Sequence, residues 1–308
     1  MAHDLQTPTA PPLAEDAPPA VSDRTVRTNA GSTAAPVLPG GRRERPDLDR
    51  DERRRLHARA TDKGVNPLVY WVVRAAFQPF FHVYFRLRRI GMEHVPKRGP
   101  VIFAANHRSF LDPFVIGALS GRPLYFVAKK ELFRKPLQRW FLNSLGAFPI
   151  DRGNADGDAM STARAVLERG DCVVIFPEGT RTRPGGIGSP KRGVGRLALE
   201  SGAPVVPVAV HGTSHIRTKW KIRPHKVTVR AGRPLSFPQV EDPTADLARA
   251  VTARVWPCVE LQWNALGGHT TERGIGVDPA LLDVRLAPDG GLLGGTVAHH
   301  DLDHREAR

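Results

Sequence analysis

Between Val101 and Val210, short apolar runs of β character alternate with segments whose apolar residues recur at helical spacing. Val101–Ala105 leads to Pro113–Leu119, Leu124–Ala128 to Pro136–Leu145, Phe148–Ile150 to Asp158–Arg169, and Cys172–Phe176 to Arg192–Glu200, with Pro204–Val210 following. Ala159, Met160, Ala163, Val166 and Leu167 fall on one helical face that stops at Gly170, and Val205–Val210 is the unbroken apolar run of a strand covered on both sides. This alternation predicts an α/β fold with a largely parallel sheet flanked by helices. In such folds functional residues gather at the carboxyl ends of the strands.

Ahead of the alternating region, Leu68 to Phe85 is the most hydrophobic window. Arg74, Gln78 and His82 recur every four residues and form one helical stripe, with Trp71, Phe77, Phe81 and Phe85 among the apolar residues elsewhere around it. An arginine at a bilayer centre costs at least about 2.5 kcal/mol, whereas an interfacial helix keeps that stripe wet. Pro79 is expected to kink or split the helix into two short ones. The window therefore reads as a monotopic, interfacial two-helix anchor, followed by Arg86, Arg88, Arg89, Lys97 and Arg98 where anionic headgroups would meet them. The expected partner is an anionic membrane surface, and the expected location is the cytoplasmic face of the cell membrane.

Outside these regions periodicity fades. Residues 1–63 are rich in Pro, Ala and Arg and read as a disordered tail; Asp4, Glu15 and Asp16 interrupt any secretory signal. The domain plan is thus a tail over 1–63, an anchor over 64–91, a catalytic domain over 92–266 and a flexible tail over 267–308. Charge follows the same division: the net +14 comprises +1 in residues 1–60, −3 in 267–308 and +16 between them. So basic a core favours a polyanionic partner, whether nucleic acid, an anionic membrane or a phosphorylated substrate. Cys172 and Cys258 are expected to be buried thiols, and no metal-ligand spacing is present.

The candidate chemistry sits at the predicted strand ends. Asn106-His107-Arg108-Ser109-Phe110-Leu111-Asp112 follows the first strand. A neutral imidazole can take a proton from a hydroxyl near neutral pH, and a carboxylate can fix its tautomer. Asp112 before Pro113 is also an ordinary helix start, with Asp at the N-cap and Pro at the first helical position. Phe176-Pro177-Glu178-Gly179-Thr180-Arg181 closes the strand from Cys172. Gly179 permits close backbone approach, Thr180 offers a hydroxyl and Arg181 a fork of donors suited to a phosphate, while Glu178 can only orient a donor. Lys129 and Lys130 follow Tyr125–Ala128, and Arg152 follows Phe148–Ile150. Cations at successive strand ends beside a histidine point to a phosphate-bearing substrate.

These segments, together with Val206-Pro207-Val208-Ala209-Val210, resemble the four ordered blocks of the glycerolipid acyltransferases, specifically the bacterial 1-acylglycerol-3-phosphate acyltransferases, over about residues 66–265. The resemblance implies His107 as general base on the acceptor hydroxyl, Asp112 as its orienting partner, and Arg181, Arg152 and Lys129 as phosphate ligands. Asn106, Glu178, Gly179 and Thr180 complete the expected substrate-binding set. It implies a monotopic membrane protein, a lysophospholipid acceptor, and acyl-CoA or acyl-carrier protein as co-substrate with no cofactor. Pro149 departs from the pattern, since the family more often has an apolar residue such as Phe there.

Other motifs are weak or missing. Gly193-Val-Gly195-Arg-Leu-Ala198 fits a loose dinucleotide pattern but follows a Gly/Pro-rich loop. No Gly-x-Ser-x-Gly occurs, which favours direct attack by the acceptor alcohol on a thioester over an acyl-enzyme. The leading expectation is acyl transfer to lysophosphatidic acid; another lysophospholipid or glycerol 3-phosphate would use the same histidine. A basic, non-enzymatic module for nucleic acid or anionic membranes is the different class, and it predicts steep salt dependence with no role for His107.

Overall fold

The computed structural model describes residues 48–151, 157–182, 186–218 and 221–268. Its elements are α1 (Arg50–Ala58), a π-helical turn (Arg59–Lys63), α2 (Pro67–Tyr84), β1 (Arg88–Ile90), β2 (Val101–Ala105), α3 (Asp112–Gly117), β3 (Leu124–Lys129), α4 (Pro136–Ser144) and β4 (Ala147–Ile150). They continue with α5 (Gly157–Glu168), β5 (Cys172–Ile175), α6 (Gly193–Ser201), β6 (Val205–His211), β7 (Arg217–Thr218), β8 (Lys221–Ile222), β9 (Thr228–Ala231) and α7 (Ala245–Asn264). The alternating strands and helices expected between Val101 and Val210 are all present, displaced by a residue or two at their ends.

A seven-stranded sheet has the order β1-β9-β6-β2-β5-β3-β4, and β7 pairs with β8 in a separate ribbon. Every pairing in the large sheet is parallel except β6 with β9. Buried along its whole length, β2 lies between β5 and β6, with Phe103 opposite both Val174 and Val206. Side chains alternate across the pleat, so β2 sends Val101, Phe103 and Ala105 into one apolar cluster and Ile102 and Ala104 into the other. The first cluster lies under α2 and α3, and the second under α5, α6 and α7.

Four expectations about the amino-terminal region change. Residues 50–63, assigned above to a disordered tail, are helical: Asp49 accepts from the Arg50 N–H, acids occupy the first turn of α1, and Leu56 and Ala60 are buried. Residues 1–47 lie outside the described residues. The chain does not split at Pro79, since α2 runs as one helix through it. Asn66 caps that helix by accepting from the Val69 N–H, and burial of Phe81 beyond the proline anchors the second half. Arg88–Ile90, placed above in the anchor, is an edge strand paired with β9.

The orientation of α2 is the fourth change. The stripe of Arg74 and Gln78 faces the protein instead of water: Arg74 donates to Gly117 O at 2.8 Å and Ser120 O at 2.6 Å, at and just beyond the carboxyl end of α3. Those terminal carbonyls lack helical partners and carry the negative end of the dipole, so a guanidinium is a fitting cap. Leu68, Trp71, Val72, Phe80 and Val83 are left exposed on the outer face, while Phe77 stacks on Phe114 of α3. Among the described residues no helix is long and apolar enough to cross a membrane. Cys172 is buried as expected, whereas Cys258 is only half-buried because it lies on the flank of α7. The expected tail beyond 268 lies outside the described residues.

Candidate active site

Where β2 ends, Asn106 substitutes its side chain for a strand residue. Its Nδ2 donates to Val210 O at 3.1 Å and its Oδ1 accepts from Val210 N at 2.7 Å. The carboxamide is fully buried. Asn106 therefore ties β2 to β6 and frames the site, with both its groups engaged by the Val210 backbone.

Released from the ladder, residues 107–111 loop back around one carboxylate oxygen. Asp112 Oδ2 accepts from the backbone N–H groups of Arg108 at 2.6 Å and Ser109 at 2.7 Å, and lies 2.9 Å from His107 Nδ1. Leu111 is the N-cap of α3 and Asp112 its first helical residue. The expected helix cap is thus replaced by a loop clamp, because the carboxylate reaches upstream amides instead of those of its own helix. A carboxylate can only accept, so Nδ1 carries the proton shared with Asp112, and in the neutral ring Nε2 holds the lone pair. The imidazole also stacks on Phe176, with centroids 4.1 Å apart.

Because β5 neighbours β2, the segment after β5 meets this loop. The His107 N–H donates to Glu178 Oε1 at 3.3 Å, while His107 O accepts from Thr182 N at 2.9 Å and from the Thr182 hydroxyl at 3.2 Å. Gly179, at φ +71, makes the tight turn in which its N–H donates to Phe176 O at 3.0 Å. Burial pushes the Glu178 carboxyl up to about 7, against the opposing pull of the His107 N–H and the Arg108 charge. Arg108 itself is lowered by burial. Its guanidinium donates to the Thr182 hydroxyl at 3.3 Å and to Gly186 O, and stands over the Trp263 ring 5.2 Å from its centroid.

The expected phosphate ligands divide. Thr180 and Arg181 are exposed at the rim of the same turn, and Arg181 makes no ion pair among the described residues. Lys129 is half exposed and paired with Glu131 at 3.0 Å. Strands lie about 4.8 Å apart, so with β5 between them the end of β3 is displaced by roughly 10 Å from that of β2, and β4 by roughly 15 Å. Arg152 lies outside the described residues.

Lys191 is the cation that the motif reading missed. Its N–H donates to Pro177 O at 2.8 Å, and its side chain covers Gly179, where an added Cβ would stand 3.1 Å from Nζ. The available signal was Lys191-Arg192 immediately before the amino end of α6. Among the described residues no group of His, Cys, Asp and Glu could hold a metal ion.

A family model described as Acyltransferase matches residues 86–211. The chain is 33% identical over 145 residues to a 1-acyl-sn-glycerol-3-phosphate acyltransferase of Bacillus subtilis, a match covering 46% of this chain and 70% of that protein. It is 32% identical over 136 residues to a chloroplastic 1-acyl-sn-glycerol-3-phosphate acyltransferase of Arabidopsis thaliana, covering 43% of this chain and 38% of that one. The chain thus spans well under half of the plant relative. Among solved structures, the 1-acyl-sn-glycerophosphate acyltransferase of Thermotoga maritima aligns at 26% identity with a TM-score of 0.48, covering 65% of this chain and 84% of the other.

Proposed function

Since the chain belongs to the acyltransferase family that includes the 1-acyl-sn-glycerol-3-phosphate acyltransferases, we propose that it moves a fatty acyl group from an acyl thioester to the free hydroxyl of lysophosphatidic acid, giving phosphatidic acid. The observation that carries the reading is the 2.9 Å contact between His107 Nδ1 and a buried carboxylate that also gathers the amides of Arg108 and Ser109. On this reading Nε2 of the neutral ring is the base for the hydroxyl.

In the proposed reaction Nε2 takes the acceptor's proton as its oxygen attacks the thioester carbonyl. Asp112 stabilises the imidazolium that forms. The new C–O bond forms, the C–S bond breaks, and the proton passes from Nε2 to the departing thiolate. The donor is acyl-CoA or acyl-carrier protein. Arg181 is the leading ligand for the acceptor's phosphate, and Arg152 and Lys129 are further ligands carried over from the motif. Lys129 ranks behind because Glu131 already engages it. Glu178, Gly179 and Thr180 form the turn on which the acceptor rests. Another lysophospholipid or glycerol 3-phosphate would use the same base with different phosphate contacts.

The outer face of α2, with Leu68, Trp71, Val72, Phe80 and Val83 exposed, supports attachment to the cytoplasmic face of the membrane by a helix lying in the interface. The reaction is tested by thiol release from acyl-CoA with lysophosphatidic acid in detergent. Wild type should turn over and His107→Ala should fall to background; a wild type no faster than the variant rejects the reading.

A further inference from the structure

Away from the histidine, α1 and α4 enclose a groove of about 340 Å³ lined by Glu52, Arg55, Arg59, Arg139, Trp140 and Asn143 among others. Glu52 pairs with Arg139. Arg55 and Arg59, one turn apart, make no ion pair among the described residues. Like charges at this spacing repel on a helix, and here they converge on a concavity instead of being dispersed over a convex face. A second observation concerns Asn143, which is 2% exposed. Its Nδ2 donates to Leu56 O at 3.2 Å and Ala147 O at 3.1 Å, while its Oδ1 is buried without a partner. Asn143 thereby ties α4 to α1 and β4 beneath the groove, and the groove itself offers two uncompensated guanidiniums.

We propose that this groove binds the phosphodiester of an anionic phospholipid headgroup. The phosphate answers Arg55 and Arg59. A lipid is favoured over a soluble phosphate by the surface around the groove. Leu137 of α4 is 77% exposed and Trp140 49%, and an indole beside guanidiniums is the composition of a bilayer interface. Asn66 N donates to Ser144 O at 2.9 Å, joining the carboxyl end of α4 to the amino end of α2, whose outer apolar face begins at Leu68. The inference rests on the membrane attachment proposed above, whichever helix provides it, and is independent of the acyl-transfer chemistry.

Flotation of the full chain with phosphatidylcholine vesicles, with and without phosphatidylglycerol, tests it. Arg55→Gln/Arg59→Gln should lower partition onto the anionic vesicles about thirtyfold, from about 1 kcal/mol per basic residue near the surface. Partition onto neutral vesicles, the thermal midpoint and turnover in detergent should be unchanged. The matched control Arg53→Gln/Arg54→Gln removes the same charge from α1 outside the groove and should have a much smaller effect. Equal losses in the two pairs would mean diffuse attraction and overturn the site, as would wild-type partition in the groove pair. Coenzyme A affinity lost in the groove pair with vesicle binding intact would assign the groove to a nucleotide phosphate and overturn the lipid. Phe80→Gln/Val83→Gln on α2 should weaken binding to both vesicle types. If it leaves neutral-vesicle binding unchanged while the groove pair still acts, the anchor reading fails and the headgroup site stands.

Discussion

One carboxylate oxygen holds most of the local order. Asp112 Oδ2 accepts from His107 Nδ1 and from two loop amides, so Asp112→Asn keeps a carbonyl for the amides but loses the charge that stabilises an imidazolium. We expect kcat to fall by on the order of a hundredfold or more with KM little changed, whereas Arg181→Ala should mainly raise KM for the phosphorylated acceptor. Equal loss of folded protein in both variants would point to structure alone. The five-residue spacing of His107 and Asp112 was readable from the chain, because a tight loop joins them locally. That Asp112 clamps the upstream loop was not, since a residue just before Pro113 is equally a helix cap by pattern. Glu178 makes a pH prediction. Its carboxyl is raised from 4.5 to about 7 by burial, so between those values the folded protein holds a proton the unfolded chain has released. Stability is therefore fully present below 4.5 and is lost as pH rises through about 7. Glu178→Gln should match wild type near pH 4.5 and exceed it above 7, by at most on the order of 3 kcal/mol. Denaturant melts showing the same difference at both ends would remove burial of the charge as the cause.

For whole elements, periodicity identified the stripe of Arg74, Gln78 and His82 but gave it the wrong side. A period of 3.6 defines a face and says nothing about which neighbour covers it. Here the neighbour is the carboxyl end of α3, whose carbonyls Arg74 satisfies. Arg74→Leu should therefore destabilise the fold by about 2 to 3 kcal/mol, the scale of charge-assisted hydrogen bonds whose carbonyls are left unpaired. An unchanged urea midpoint would show that water replaces the guanidinium at no cost. Strand order was hidden for a related reason. The ends of β3, β4 and β5 look equivalent along the chain, yet only β5 is hydrogen-bonded to β2, which brings Glu178 and Thr182 against His107 and leaves Lys129 apart. The short strands β1 and β9 gain their partners only through non-local pairing, with β9 turned antiparallel against β6. Trp263 escaped notice similarly: it is nearly at the end of α7 and meets Arg108 only in the folded chain.

Across the whole molecule, the amino-terminal helices belong to the hydrophobic core as well as to its surface. Leu56, Phe81, Phe85 and Leu87 are buried in the same cluster as Phe103 of β2 and Val229 of β9. Val65 N donates to the Tyr125 hydroxyl at 2.9 Å, and β1 covers the edge of β9. Fully burying a large apolar side chain contributes about 1.5 to 3 kcal/mol, and domains are stable by only about 5 to 15 kcal/mol. Losing four such side chains and an edge strand together is comparable to that whole margin. A chain beginning after residue 91 should therefore lack a cooperative thermal transition, so its failure to bind vesicles would say nothing about an anchor. Membrane contact has to be removed from outside. Leu68, Val72, Phe80 and Val83 are exposed, and changing all four to Gln should leave the midpoint within a few degrees of wild type while abolishing flotation with neutral vesicles. A cooperative melt in the truncated chain would show that the helices are dispensable to the core. Flotation undiminished in the fourfold variant would mean that some other surface holds the membrane.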